Sequence, residues 1–388
     1  MASQSSRLLE LLISATNLAN ESQHQSLDDP ATRDKLADAA NILLRTIQSP
    51  VDRAWLVFHQ PHHLSTLRVA LDAGWLTLVA EADGTHGITA RDIAEKTNTD
   101  AYLVARLMRL LAAGGSVREL FVTPGWSAGV RHAADEYSIT SAHMPNYFAK
   151  NGYREPAPHP NTIYSHVHGT PAFELMMQQP KRLENFQNFI SIARPGRKHW
   201  IDVYPMDKLQ VRSKNDILVV DVGGARGDEL RAIVARRLRT GLAGRLVLQD
   251  RQEATDGVPS EWRDDFEVVV YDFFTPQPAA YQHARAYYMR AILHDWPDAD
   301  CATILAHVRD AMEPGYSTIM INEIVLPDTG CSWQHAAHDV TMMAAMSGKE
   351  RTLAEWRGLI DGVEGLKIEK TWTLEEQGES LIEVVRVS

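Results

Sequence analysis

The sequence predicts an α/β domain built on a mostly parallel sheet, covered by helices on both faces and closed by an antiparallel hairpin, with an α-helical region ahead of it. Three observations carry this expectation. From Asp216 onward strand-like and helix-like segments alternate, as parallel strands joined by helical crossovers do. Residues 217–228 read ILVVDVGGARGD, an apolar run of the kind a fully buried strand needs, followed at once by a glycine-rich turn. The last two strand-like segments, 366–372 and 380–387, are separated only by TLEEQGE, a hairpin-length link.

Taken in order, residues 6–20 and 31–49 carry apolar side chains at helical spacing, with Asp29-Pro30 as a start signal for the second. Leucine stripes of this kind suit packing or dimerisation surfaces. Residues 64–79 read as one helix, and Gly84 and Gly87 form a turn after it. Two amphipathic segments follow, 90–96 and 101–113, joined by Thr97-Asn98-Thr99-Asp100 with Asp100 as an N-cap. This is a helix-turn-helix in outline. A DNA reader would present base-reading and phosphate-contacting side chains on its second helix, whereas that helix holds only Arg106 and Arg109, so a winged-helix fold reused for packing or dimerisation is expected.

Beyond it, TPGWSAG and REPAPHP read as irregular and 171–192 as helical, with Phe173, Met176, Met177, Leu183, Phe186, Phe189 and Ile190 near one face. Such a stripe serves a core or the wall of an apolar pocket. Then come the strand 219–222, a helix over 229–239, strands at 245–250, 266–272 and 286–293, a helix over 298–312, and a strand at 317–326.

Composition narrows the function. A formal net charge of −11 argues against nucleic-acid or anionic-membrane partners, which need a concentrated basic face. The two cysteines, Cys301 and Cys331, form no disulfide framework and suit a reducing compartment. No apolar run approaches the ~20 residues of a membrane span, and Glu10 interrupts the apolar stretch 8–13, so no signal peptide is read. A cytoplasmic protein is expected.

The glycine turn reads D-x-G-x-A-x-G, from Asp221 through Gly223 and Ala225 to Gly227, and not the G-x-G-x-x-G of dinucleotide sites. No lysine followed by serine or threonine closes the turn, which removes a phosphate-cradling loop. An acid at the strand end disfavours a pyrophosphate and suits a cationic or hydroxyl-rich ligand. Asp250, closing the next strand, can accept from both ribose hydroxyls; Asp272, closing the third, can accept from an adenine amino group, with Phe273 against the ring. A ligand with ribose, adenine, a positive centre and no phosphate is S-adenosylmethionine.

His294 falls just past a strand end on the same rim, in AILHDWPD, and an imidazole with an ordinary pKa of ~6.5 can take a proton from a phenol. Glu323 in INEIVLP and Glu350 in GKERT supply carboxylates to orient it. His335 and His338 have no acidic partner at ligand spacing, so no metal site is expected. His166-Val167-His168, near Pro158-His159, reads as a loop feature.

Through VVDVGGARGD, LQD, VYDFF, LHDWPD, INEIVLP and GKERT, the chain resembles S-adenosylmethionine-dependent O-methyltransferases of the caffeic acid and flavonoid type, and most of all those of fungal polyketide pathways. The resemblance implies an α-helical winged-helix dimerisation domain over 1–128 and a class I methyltransferase domain with a Rossmann-like sheet over 129–388, assembled as a homodimer. It implies cofactor contacts from Gly223, Asp250, Asp272, Phe273 and Arg290, a general base in His294 flanked by Glu323 and Glu350, and an acceptor pocket lined by Phe186 and Ile190. The expected reaction is methyl transfer to a phenolic or enolic hydroxyl of an aromatic or polyketide-like small molecule of secondary metabolism. The alternative is a pericyclase or dehydratase that uses the bound cofactor's charge without transferring its methyl group. Ala225 stands where the family usually has glycine, a substitution tolerated at negative φ and strained at positive φ.

Overall fold

The computed structural model describes residues 13, 30–82, 87–116, 124–192, 199–374 and 379–387. The chain divides into two compact units, Met1–Val130 with Ala193–Arg197, and Arg131–Ile192 with Lys198–Ser388.

The first unit is helical where it is described: α1 (Pro30–Ile47), α2 (Pro50–Asp72), α3 (Trp75–Glu81), α4 (Ala90–Thr97) and α5 (Ala101–Ala113). The helix expected over 6–20 falls, Ile13 apart, outside the described residues. The single helix expected over 64–79 is two, because Gly74 turns the chain through φ 74°, a left-handed conformation that ends α2 and starts α3. In α4 and α5 the sequence signals act as read. Thr89 and Asp92 form a reciprocal capping box on α4, and the Asp100 carboxylate accepts from the Leu103 N–H to cap α5. Leu67, Trp75, Ile93, Val104 and Leu111 make the buried core of this unit.

The second unit centres on a sheet of order β3-β2-β1-β4-β5-β8-β7, with β6 paired to β5. Its strands are β1 (Ile217–Val222), β2 (Arg245–Asp250), β3 (Glu267–Val270), β4 (Ala286–Arg290), β5 (Thr318–Leu326), β6 (Arg351–Thr352), β7 (Leu366–Thr373) and β8 (Glu379–Arg386). Strands β1 to β6 pair parallel, while β8 runs antiparallel between β5 and β7, so the sheet ends in the expected hairpin. Every residue of β1 is buried, because both sheet faces are covered. Val220, Tyr287, Ile319 and Ile382 face one hydrophobic layer with Ile304 and Trp356; Leu218, Val219, Leu248 and Met320 face the other with Trp200 and Leu230.

Three local expectations give way in this unit and the segment leading into it. TPGWSAG is not irregular: Pro124 opens a helix, α6 (Pro124–His132), where its missing N–H costs nothing. A π-helical segment (Ala133–Tyr137) and α7 (Ser138–Lys150) follow. His166 and His168 lie not in a loop but in α8 (Ile163–His168), where His168 stacks on Tyr164 with ring centres 4.1 Å apart. The helix expected over 171–192 is split at Gln179-Pro180 into α9 (Ala172–Gln178) and α10 (Pro180–Ile192), since proline has no N–H to continue the first. The remaining helices are α11 (Asp228–Thr240), α12 (Gln252–Thr255), α13 (Asp298–Ala311), α14 (Trp333–Met346) and α15 (Leu353–Asp361).

Ile321 is fully buried in β5, between the parallel and antiparallel parts of the sheet. Ile321→Ala is expected to cost about 2–5 kcal/mol of unfolding free energy, read as an earlier denaturant midpoint.

Candidate active site

The parallel strands deliver their C-terminal ends to one rim, and the residues picked out in the sequence gather there. Asp221 ends the apolar part of β1, Asp250 ends β2, Asp272 and Phe273 follow β3, and Arg290 ends β4.

Gly223 has φ 76°, and a Cβ there would lie 2.4 Å from the Cδ1 of Ile292, so only glycine fits. A Cβ on Gly224 would lie 2.4 Å from the Asp221 carboxylate. The Asp250 carboxylate accepts from the N–H groups of Ala225 at 2.8 Å and Arg251 at 2.7 Å, which pins the turn and leaves further lone pairs toward the rim. Asp221 is buried with Oδ2 unpartnered, and burial together with Glu229 and Asp250 pushes its pKa well above the ordinary carboxylate value. A buried, unpartnered acid beside a glycine cradle suits a cationic, hydroxyl-bearing ligand, as the sequence predicts. Phe273 edges onto Trp296 at 5.9 Å and stands beside Gly223, joining the cradle to the His294 loop. Asp272 accepts from the Phe274 N–H at 3.0 Å.

Arg290 stands in a polar network: its guanidinium donates to Glu379 at 2.9 Å and lies 3.6 Å from Glu229. Ala225 has φ 50°, so its methyl group sits in the left-handed region that disfavours a side chain.

His294 sits in a short 3₁₀ turn, Leu293–Asp295, directly past β4. Its Nδ1–H donates to Glu350 Oε1 at 2.7 Å, which leaves Nε2 as the ring nitrogen whose proton can be exchanged. Glu323 acts one step back: its Oε1 accepts from the N–H groups of Ile292 and Leu293 at 3.0 and 2.9 Å, and its Oε2 lies 3.7 Å from the ring. Asp295 lies 3.6 Å from Nε2.

These charges are buried together. Burial works against an imidazolium, but Glu323, Asp295 and Glu350 outweigh it and raise His294 to about 10. Burial likewise pushes Asp295 up to about 6, whereas His294 and His338 overcome burial at Glu350 and hold its carboxyl below the ordinary carboxylate range.

Several supporting residues had not been picked out individually, although GKERT and LHDWPD contain most of them. Arg351 is fully buried and donates to the carbonyls of Leu293 and Trp296, each at 2.9 Å, and to Asp298 at 2.8 Å. The His294 carbonyl accepts from the Lys349 N–H at 2.9 Å. A Cβ on Gly348 would lie 2.0 Å from that carbonyl, so the close approach requires glycine. His338 corrects the sequence reading, which found it no acidic partner: α14 brings its Nδ1 to 3.2 Å from Glu350 Oε1. His335, on the same helix, is not part of this cluster.

Helix α10, which carries the pocket candidates, is tied to the glycine turn by Arg226, whose guanidinium donates to the Gln187 carbonyl at 3.3 Å. Phe186 is half-buried against His132 and Phe173, with ring centres 5.3 and 6.3 Å away, and Ile190 is exposed.

Residues 150–364 match the O-methyltransferase domain family. The chain belongs to this family. Its cofactor is S-adenosylmethionine, which the acid-lined glycine cradle fits. The chain is 34% identical to methyltransferase cfoC of Aspergillus candidus, over 97% of this chain and 98% of that one. It is 30% identical to the demethylsterigmatocystin 6-O-methyltransferase of Aspergillus parasiticus, over 84% and 86%. In fold it is similar to a solved pericyclic reaction enzyme, with a TM-score of 0.84, 23% identity, and coverage of 97% of this chain and 99% of that one. The O-methyltransferase therefore groups with enzymes of fungal secondary metabolism.

Three expectations follow. Ala225→Gly should raise the unfolding free energy by roughly 1 kcal/mol, because it removes a left-handed alanine; a destabilised variant in chemical denaturation would show that the methyl group packs usefully. Because the His294 proton is lost only as pH climbs toward 10, nitrogen-15 NMR should find its ring still charged at pH 8. Glu350→Gln should bring that midpoint down by about one pH unit or more. A neutral ring at pH 8 in the wild type would contradict the carboxylate effect.

Proposed function

We propose that this enzyme transfers a methyl group to a phenolic or enolic hydroxyl of an aromatic or polyketide-like small molecule, with His294 as general base. The observation that carries the reading is the buried His294–Glu350 hydrogen bond of 2.7 Å, on the rim that also bears the acid-lined glycine cradle.

Gly223, Asp250, Asp272, Phe273 and Arg290 hold S-adenosylmethionine in this reading. Bound there, the cofactor supplies an electrophilic methyl group on a cationic sulfur. Asp250 takes the ribose hydroxyls and Phe273 covers the adenine. Phe186 and Ile190, on the helix tied down by Arg226, line the acceptor pocket and exclude water.

His294 accepts the hydroxyl proton at Nε2, since Nδ1 is committed to Glu350. The positive charge this creates is met by Glu350 directly and by Glu323 and Asp295 nearby. The ring must be neutral before it can act, and a second positive charge in the loaded site works against the imidazolium that the carboxylates favour.

The helical first unit serves as a homodimerisation domain in this proposal. Support comes from Ile42, Leu44, Ile47, Val51, Leu56 and Val57, all large apolar side chains exposed on α1 and α2. No helix among the described residues is long and apolar enough to cross a membrane.

A second reading draws on the raised proton affinity of His294: a charged ring could donate a proton, with the cofactor bound but not consumed, as in a dehydratase or pericyclase. Mass spectrometry separates the two, because only methyl transfer adds a methyl group to the product and converts the cofactor.

The test is His294→Ala, with His294→Gln beside it, assayed across a panel of phenols. Methyl transfer should fall about 10²–10⁴-fold while calorimetric cofactor binding survives. Wild-type turnover in both variants would end the assignment.

A further inference from the structure

Glu350 is used only on one side by the arrangement above. Its side chain is fully buried, Oε1 faces two imidazoles, and Oε2 has no hydrogen-bond partner. His294 Nδ1 lies 2.7 Å from Oε1 and His338 Nδ1 lies 3.2 Å from it. The two rings stack 25° from parallel with centres 5.7 Å apart, so both present the same ring nitrogen to one carboxylate. One ligand atom from each of His294, His338 and Glu350 lies within 4.8 Å of the others.

We propose that His294, His338 and Glu350 form a binding site for a divalent transition-metal ion, and that an ion bound there switches the enzyme off by taking the base out of use. Two imidazole nitrogens and one carboxylate oxygen are the donor set of three-ligand zinc sites that keep a fourth position open. Metal–ligand bonds of about 2.0–2.2 Å at tetrahedral angles put neighbouring ligand atoms roughly 3.3 Å apart, close to the 3.2 Å already present on the His338 side. The His294–Glu350 distance of 2.7 Å has to widen, and the two imidazole nitrogens, within 4.8 Å of each other, have to settle at a similar spacing.

Charge favours a dication here. Glu323 and Asp295 lie 3.7 and 3.6 Å from the His294 ring and add carboxylates beside the ligands, while the nearby Arg351 and Lys349 are engaged by Asp298. Access is provided by His338, whose side chain is 41% exposed while that of Glu350 is wholly buried. Hard ions such as magnesium prefer oxygen ligands and are not expected to compete.

The exchange balances simply. The charged His294 ring gives up its Nδ1 proton to solvent and keeps the one on Nε2, so the freed Nδ1 lone pair binds the ion and Glu350 passes from accepting that proton to binding the ion as well. Binding rests on this geometry alone; loss of activity rests also on His294 being the base.

The experiment uses the full chain with zinc as the probe and magnesium as the control. Equilibrium dialysis should show His338→Gln binding one zinc equivalent fewer than the wild type. In methyl-transfer assays with the acceptor, equimolar zinc should slow the wild type at least tenfold, reversibly with a chelator, and magnesium should not. For His338→Gln the ratio of rates with and without zinc should stay near one, whatever its basal rate. Equal zinc binding by both proteins overturns the proposed site. Zinc bound through His338 with an unaltered wild-type rate leaves the site standing and overturns His294 as the base, so the two failures are distinguishable.

Discussion

Burying an imidazole among carboxylates is costly unless each charge meets another, and the organisation of the rim around His294 follows from that constraint. Glu350 is fully buried, and a buried carboxylate without a counter-charge would take up a proton or disrupt its surroundings. The His294 Nδ1–H resolves this at 2.7 Å and in the same contact orients the ring. Removing one member of such a pair typically costs about 3–5 kcal/mol, because the other is left uncompensated. The interaction that orients the His294 ring is thus also one the local fold depends on.

The surrounding residues keep that contact in register. Glu323 holds the N–H groups at the start of the His294 turn, and Arg351 holds the carbonyls of Leu293 and Trp296. Gly348 lets the segment that carries Glu350, just ahead of β6, approach the His294 carbonyl. Because Arg351 and Glu350 are adjacent in the chain, one short segment both orients the ring and fixes the turn that bears it. The glycine cradle is tied in through Phe273, Trp296 and Ile292, so the cradle and the His294 turn are held by shared side chains.

Much of this was legible in the sequence. A strand buried on both faces must be a continuous apolar run, and β1 is one; turns that approach a neighbour closely need glycine, and Gly223 and Gly227 supply it. The rim acids were legible because strand ends in parallel sheets share an edge. What was hidden depended on tertiary geometry. Pro180 and Gly74 broke helices whose apolar periodicity ran straight through them, since periodicity reports a face and not continuity. The His338–Glu350 contact could not be read, because it depends on how α14 packs beside the His294 turn. The left-handed φ of Ala225 was likewise invisible, as alanine gives no signal for it.

The central claim is that His294 and Glu350 act as one unit in removing the acceptor's proton. A double-mutant cycle over His294→Ala and Glu350→Gln, read as single-turnover methyl-transfer rates with saturating cofactor, tests this most directly. Residues that act as a unit are strongly non-additive, so the double variant should be about as slow as His294→Ala alone. Losses that simply multiply would contradict the account, because they would mean that Glu350 contributes without acting through the ring.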